Sequence, residues 1–485
     1  MITLSRLIPD CPMPLPELTI SGLKLDSRKI ASGDAFIAVP GAATDGREYI
    51  DSAIAAGASV VLADMDEWTR GELDGVPLIG IPNLASEISH IAGRFFQQPD
   101  SQLRLIGVTG TNGKTTVSHL VAQLWQQLEP SAAVLGTLGS GVLPNLLPET
   151  NTTPDAVTVQ QRLASFAAEG AKNAAMEVSS HALVQGRVEA LHFDTLIATN
   201  LTRDHLDYHG SMAEYIAAKA RLFSDFPARV RILNADDGVV AAWGTADDYW
   251  YSLNRQKIGQ KNTLVASEIQ YTHAGTSMVL HWQDQQISVL SPLLGDFNVA
   301  NLLAALLSPL TSGFSLTFAA ALVPQLQSVA GRMETFSAEG KPLVLVDYAH
   351  TPDALEQVLV AARRHCSGTL WCVFGCGGDR DRGKRPQMGE VAARLADHAV
   401  VTDDNPRTEA PEAIIQDIIS GMPSGSVYTA LPGRAEAVRQ TIAKAQQNDV
   451  VVCAGKGHET YQIIGTKVQD YDERAWVAEI LGGGQ

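Results

Sequence analysis

The run Thr109-Gly-Thr-Asn-Gly-Lys-Thr-Thr116 is the densest chemical signal in the chain. A Gly-rich turn lets backbone N–H groups close on phosphate oxygens, a lysine neutralises charge, and a hydroxyl reaches a divalent cation. Gly110, Thr111, Asn112, Gly113, Lys114, Thr115 and Thr116 are therefore assigned to ATP or a close relative, with Thr115 directed at Mg2+. The run departs from the P-loop consensus: its glycines fall at 107, 110 and 113, and position 108 is Val108. The alternative is a chance Gly-rich turn.

Acidic and imidazole groups follow. Glu177, in Met176-Glu-Val-Ser-Ser-His181, ends an apolar strand, the edge where open parallel sheets bind ligands. A buried Glu is costly without partners, so Glu177 is expected to face a cation or hydrogen-bond donors; the alternative is a solvated strand end. His205 and His209 lie four apart with Asp207 between them, which on a helix places both on one face. A zinc site, a loop serving Mg2+ and phosphate, or simple turn polarity all fit that spacing. Asn298 and Asn301 share a helical face and suit an adenine edge or phosphate, or merely cap the helix.

A further set of polar clusters follows four apolar runs near the C-terminus. Val346 leads into Asp347-Tyr-Ala-His350, Phe374 into Gly375–Arg385, Thr402 into Asp403–Arg407, and Ala454 into Gly455-Lys-Gly-His-Glu459. Parallel strands would put these turns on one sheet edge. Arg380 and Arg407 would grip a carboxylate, and Asp404 and Glu459 an amine, an inventory that suits a zwitterionic amino acid.

The elements that must position these groups read as α/β throughout. Apolar strands at 35–39, 60–62 and 78–81 alternate with helical stretches such as 50–56, and residues 96–101 resemble a linker. Strands are expected at 103–108, 174–178, 194–199 and 231–233, with an antiparallel excursion over 264–290. A break near 331–341 precedes strands at 343–346, 370–374, 399–402 and 450–454. Val117, Leu120, Val121, Leu124, Trp125 and Leu128 form the apolar face of the helix after the phosphate loop. At roughly 150 residues per domain, 485 residues suggest about three domains. Their expected bounds are 1–98, 99–331 and 332–485, with a P-loop-type central parallel sheet and a Rossmann-like last domain.

Bulk properties narrow the partners. With 53 acidic and 36 basic residues the net charge is −17, which argues against nucleic acid and anionic membrane surfaces. Five cysteines without a CxxC pair point to a reducing compartment, and no apolar run reaches the length of a membrane span. The expectation is a cytoplasmic protein.

The motifs together resemble the Mur ligases of peptidoglycan synthesis. The resemblance rests on Gly-Thr-Asn-Gly-Lys-Thr-Thr, Met-Glu-Val-Ser-Ser-His, Thr-Asn-Leu-Thr-Arg-Asp-His-Leu-Asp-Tyr-His, Gly-Arg-Met-Glu and Asp-Tyr-Ala-His-Thr-Pro-Asp. Asp404-Asn-Pro-Arg407 is similar to the signature of the diaminopimelate-adding members. The resemblance implies a monomeric bacterial enzyme whose substrates are ATP, UDP-N-acetylmuramoyl-L-alanyl-D-glutamate and meso-diaminopimelate. ATP would phosphorylate the D-glutamate carboxylate, and the diaminopimelate amine would displace phosphate from the acyl phosphate. It further implies that Lys114 is catalytic, that Glu177 and His205 serve Mg2+, and that Asn298, Asn301, Arg332 and Asp347 serve ATP.

Lys219, an exposed helix lysine by spacing alone, matches the family position that becomes an N6-carboxylated lysine beside the metal. For the nucleotide sugar and dipeptide the matching positions are Leu25, Ser27, Ala42, Ala43, Thr44, Asn151, Thr152, Thr153, Ser179, Gln185 and Arg187. For diaminopimelate they are Arg380, Asp404, Asn405, Pro406, Arg407, Gly455 and Glu459. Pro154 and the side chains at 42–44 depart from the related pattern. Rival readings are lysine addition, folate polyglutamylation, and a non-catalytic nucleotide-binding regulator.

Overall fold

The computed structural model describes residues 1–41, 44–129, 131–272 and 274–482. Ala42 and Ala43, expected at the nucleotide sugar, lie outside the described residues. The chain forms two compact units, Met1–Trp250 and Tyr251–Gln485. No helix among the described residues is long and apolar enough to cross a membrane.

Besides the short antiparallel pair Ile2–Thr3 with Thr19–Ile20, the described residues of the first unit form two larger sheets. In the first, Gly22–Lys24, Asp34–Ala38, Val60–Met65 and Val76–Pro82 run parallel in that order, with Thr69–Leu73 antiparallel at the edge. Its central strands alternate between two cores: Ile37, Leu62 and Ile79 pack toward the helix Leu84–Phe95, while Phe36, Val61 and Ala63 face Ala53. Strands buried on both faces explain the unbroken apolar runs. The second sheet pairs Ala132–Gly136, Asn173–Glu177, Arg104–Thr109, Thr195–Ala198 and Val230–Asn234 in parallel, in that order, so their carboxyl ends share one edge. Between the sheets the expected linker is tied down: Pro99–Gln102 forms a 3-10 turn, and buried Asp100 accepts the His192 N–H at 3.0 Å.

In the second unit the expected antiparallel excursion consists of Thr263–Thr272, Gly275–Trp282 and Gln285–Ser291. The sheet that follows orders Glu334–Phe336, Leu343–Asp347, Val450–Ala454, Leu370–Phe374, His398–Val401 and Tyr428–Ala430. All pairings are parallel except the first, so the expected break at 331–341 carries an antiparallel edge strand. Leu345, Phe374 and Val452 fill one core and Val346, Val373 and Val451 the other.

Candidate active site

The phosphate loop joins the strand Arg104–Thr109 to the helix Lys114–Leu128. Gly110 has φ +141°, and a Cβ there would overlap Thr199 Oγ1, so only glycine lets the loop pass the next strand end. The Lys114 ammonium donates to the Gly110 and Thr111 carbonyls at 2.9 and 2.8 Å. Asn200 braces the turn: its carbonyl accepts the Thr111 N–H at 2.8 Å and its Oδ1 the Asn112 N–H at 3.0 Å.

Glu177 is fully buried at the end of its strand, and it faces donors, as the desolvation argument requires. Its Oε2 accepts the Thr115 hydroxyl at 3.0 Å, and its Oε1 accepts the Thr137 N–H at 2.7 Å. Thr137, which also donates its hydroxyl to Glu177 at 3.2 Å, was not expected from the sequence. It directly follows the apolar strand Ala132–Gly136, at the same carboxyl edge of the sheet as Glu177. The paired oxygens of Thr115 and Glu177 form a hard donor set, and one carboxylate with one hydroxyl is what Mg2+ takes from protein when phosphates and waters complete its shell.

Lys219 corrects the reading from spacing. It is 1% exposed, donates to the same Gly110 carbonyl at 2.8 Å, and lies 4.9 Å from the centre of the Tyr215 ring. Burial, followed by the nearby Lys114 charge, holds its ammonium well below the ordinary lysine range. On the helix Met212–Ser224 the buried positions are Tyr215, Ala218, Lys219, Leu222 and Phe223, so a lysine within that apolar stripe was the available signal.

His205 precedes the short helix Leu206–His209 at φ +51°, with its side chain half exposed and 3.4 Å from Asp204. His209 is buried in that helix and reaches Ser180 Oγ at 2.9 Å. The expected shared helical face therefore breaks down, although both rings meet His181, at 4.9 and 5.5 Å between centres. Among the described residues no group of three or more His, Cys, Asp or Glu could hold a metal ion, which leaves the zinc alternative without a ligand set.

Beside Glu177 the structure brings together most of the residues expected at the dipeptide. Thr152 meets Thr137 Oγ1 at 3.1 Å, Thr153 donates to the Glu177 carbonyl at 2.8 Å, and Ser179 caps the helix Ser180–Val184. Arg187 donates to Gln185 Oε1 and to the Thr153 carbonyl. Asn151 is exposed. Leu25, Ser27 and Thr44 belong to the other sheet of this unit, following the carboxyl ends of Gly22–Lys24 and Asp34–Ala38.

In the second unit Asn298 and Asn301 are buried and share a face of the helix Asp296–Leu310, with Asn301 Nδ2 donating to Asn298 Oδ1 at 3.2 Å. Neither caps it. Asp347 accepts the Met333 and Ala349 N–H groups at 2.7 and 2.8 Å, and burial raises its carboxyl against the pull of Arg332. Arg332 lies 5.0 Å over the Tyr348 ring.

The four strand-end turns converge on one edge, as expected for parallel strands. Asp404 and Asn405 are buried beside Gly455, whose φ of +112° would bring a Cβ within 2.9 Å of Asp404 Oδ2. Burial pushes the Asp404 carboxyl up, opposed by Arg434 and Lys456, and its buried Oδ1 has no hydrogen-bond partner. Asn405 Nδ2 donates to Glu459 Oε2 at 3.1 Å. Arg407 donates to the Gly378 carbonyl at 2.9 Å, and a Cβ on Gly377 would meet Arg407 Nη1 at 2.9 Å and Arg380 Cγ at 3.6 Å. The proposed carboxylate grips thus flank one glycine, and Pro406 is buried below them.

Several members of this site escaped the sequence. Lys456, fully buried, donates to Asn405 Oδ1 at 3.1 Å and Glu459 Oε2 at 2.8 Å. The hairpin Tyr461–Ile464 with Lys467–Asp470 holds the Arg407 backbone, whose N–H donates to the Ile463 carbonyl and whose carbonyl accepts the Gly465 N–H. Its Gln462 donates to the Asp404 carbonyl at 2.6 Å.

Three family models match in succession: the Mur ligase family catalytic domain over residues 19–95, the Mur ligase middle domain over 108–308, and the Mur ligase glutamate ligase domain over 331–457. Among solved structures, the chain is similar to a UDP-N-acetylmuramoyl-L-alanyl-D-glutamate–2,6-diaminopimelate ligase. The two are 38% identical over 99% of this chain and 98% of the other, with a TM-score of 0.73. MurF ligase from Thermotoga maritima, in complex with ADP, is 17% identical over 96% of this chain and 98% of its own, with a TM-score of 0.65. A Mycobacterium tuberculosis folylpolyglutamate synthase is 18% identical over 76% of this chain and 92% of its own, with a TM-score of 0.59. The last two matches show the fold alone.

Proposed function

Because the chain belongs to the Mur ligase family of ATP-dependent ligases, we propose that it joins meso-diaminopimelate to UDP-N-acetylmuramoyl-L-alanyl-D-glutamate in cytoplasmic peptidoglycan precursor synthesis. The observation that carries this reading is the 38% identity, over nearly all of both chains, to a 2,6-diaminopimelate ligase. Chemistry supports it: the Asp404–Arg407 and Gly455–Glu459 turns offer carboxylates for an ammonium, and Arg407 with Arg380 of the Gly375–Arg385 turn offers guanidiniums for a carboxylate. Diaminopimelate carries a carboxylate that lysine lacks, and Arg380 with Arg407 would read it. We assign residues 1–98 to the UDP-sugar, 99–331 to ATP and acyl phosphate formation, and 332–485 to the amino acid. The protein acts as a monomer.

In this reading the D-glutamate carboxylate attacks the γ-phosphorus of ATP, ADP leaves, and the amine then displaces phosphate from the acyl phosphate to form the amide. Charge neutralisation and placement carry such a reaction, with no protein nucleophile. Lys114 keeps the phosphate loop closed through its two carbonyl bonds and meets the phosphate charge. Asn298, Asn301, Arg332 and Asp347 take the remainder of ATP. Thr152, Thr153, Ser179, Gln185 and Arg187, with Leu25, Ser27 and the loop ending at Thr44, hold the UDP-dipeptide.

Thr115, Glu177 and His205 would hold Mg2+, which supplies charge stabilisation on the transferring phosphoryl oxygens. Lys219, as a carbamate, would complete that set. Its depressed ammonium gives up a proton readily, and the free amine adds CO2, forming an N–C bond and releasing one proton. A buried +1 thereby becomes −1 beside the phosphate loop.

The test is phosphate release measured with each of the three substrates omitted in turn. Release that requires ATP, the UDP-dipeptide and meso-diaminopimelate together is expected. Release without the amino acid, or none with all three present, would contradict the assignment.

A further inference from the structure

Arg385 sits in the first turn of the helix Lys384–Leu395, at the end of the Gly375–Arg385 turn. Its side chain is fully buried, and no substrate role falls on it. The guanidinium forks onto Glu409, at 2.9 Å from Nη1 and 2.7 Å from Nη2. It also donates to Asp417 Oδ2 at 2.9 Å and to the Gly377 carbonyl at 3.2 Å. Glu409 follows the Asp404–Arg407 turn, and Asp417 lies on the helix Pro411–Ile419. One side chain thus bridges two successive strand–turn–helix units.

The bridge continues through the turns themselves. Glu409 Oε1 accepts the Asp379 N–H at 2.6 Å, and the Asp379 carboxylate accepts the Thr408 N–H and hydroxyl at 3.1 and 2.8 Å. The Gly378 N–H donates to the Asn405 carbonyl at 2.9 Å, and a Cβ on Gly378 would overlap the Pro406 carbonyl. Asp379 and Arg407 are held at φ +53° and +51°, a left-handed conformation that non-glycine residues keep only when their surroundings fix it. Bonding to Arg385, and then to the Asp379 N–H, keeps the Glu409 carboxyl at about 2, so the pair stays ionised across the neutral range.

Arg380 stands on the first of these stapled turns and Arg407 on the second. We propose that Arg385 is a positioning residue: it fixes the spacing between the Arg380 and Arg407 guanidiniums, and with it the preference for an amino acid bearing a second carboxylate. Loosening the staple lets each guanidinium move alone, and a ligand whose second carboxylate needs both loses more than one that lacks that carboxylate. The inference rests on the amino-acid assignment proposed above.

The test compares wild type with Arg385→Met and Glu409→Gln at saturating ATP and UDP-dipeptide, with meso-diaminopimelate and L-lysine varied separately. Circular dichroism and thermal melting identify the folded variants. Expected is a rise in KM for meso-diaminopimelate of about tenfold or more, with kcat within about threefold, as misplacement of a binding group predicts. The diaminopimelate-to-lysine ratio of kcat/KM should fall in parallel, while KM for ATP stays at the wild-type value. A purely structural role would move melting temperature and leave that ratio alone.

Folded variants whose diaminopimelate KM and selectivity match wild type overturn the proposal. Glu409→Gln, at a partly exposed site, carries the test if Arg385→Met does not fold, and failure of both to fold makes Arg385 structural only. If wild type prefers another amino acid, the functional assignment fails, and the variants are measured on that amino acid.

Discussion

Buried cations occur in both units, and they are handled in opposite ways. In the first unit, the Lys219 ammonium meets a carbonyl and an aromatic ring, and among the described residues the only carboxylate acting on it is Asp204, through space and without an ion pair. In the second, Arg434 pairs with Glu473, both fully buried, Arg385 pairs with Glu409 and Asp417, and Lys456 pairs with Glu459. A buried charge without a counter-ion shifts toward neutrality, whereas a paired one stays charged and fixes its surroundings. The first arrangement leaves an amine ready to react, and the second builds rigid walls around a ligand. Placement of the partner acid separates the reactive cation from the structural ones.

The largest effect expected along this divide is on activity. Lys219→Ala should lower kcat by roughly a thousandfold, the scale of losing a preorganised charge at a transferring phosphoryl group, and short-chain carboxylic acids should restore part of it. A loss that no carboxylate restores would make Lys219 a packing residue. In the second unit the largest effect should be on stability. Arg434→Met strands Glu473 and is expected to cost about 3–5 kcal/mol in urea unfolding. A loss below about 1 kcal/mol, the value of an exposed pair, would erase the contrast.

Arg407→Ala should reduce kcat/KM for meso-diaminopimelate by about 2 kcal/mol with little change toward lysine, since a charge-assisted contact is removed. Equal losses on both amino acids would deny Arg407 its selectivity.

The smallest effect is the sharpest test of the unpaired cation. The folded lysine lies below its ordinary 10.5, so the unfolded chain binds more protons in between, and wild-type stability rises with pH through that window. Without nucleotide or bicarbonate, Lys219→Met should therefore be more stable than wild type at neutral pH. That advantage should shrink toward pH 10.5. A constant difference, or wild type the more stable throughout, would contradict the unpaired state.

These contrasts explain what the sequence could disclose. The phosphate loop was legible because strand, turn and helix are contiguous, and the strand 103–108 is displaced by one residue, at Arg104–Thr109. The four convergent turns were legible because each follows an apolar run on a parallel sheet. The ion pairs were not, since Arg385 and Glu409 lie 24 residues apart and Arg434 and Glu473 lie 39 apart. The run Arg380-Asp-Arg-Gly-Lys-Arg385 reads as a turn on the ligand edge, and nothing in its sequence marks Arg385 as the buried member that pairs with distant acids. Lys219 falls between these cases: its helix carried the signal as an apolar stripe, and residue type alone disguised it.

ADP release across a panel of amino acids, with ATP and UDP-N-acetylmuramoyl-L-alanyl-D-glutamate supplied, tests the amino-acid assignment most directly. The kcat/KM for meso-diaminopimelate should exceed that for L-lysine by about tenfold or more, the value of one charge-assisted carboxylate contact. Equal rates, or a preference for lysine, would contradict the reading of Arg380 and Arg407 as the carboxylate grip.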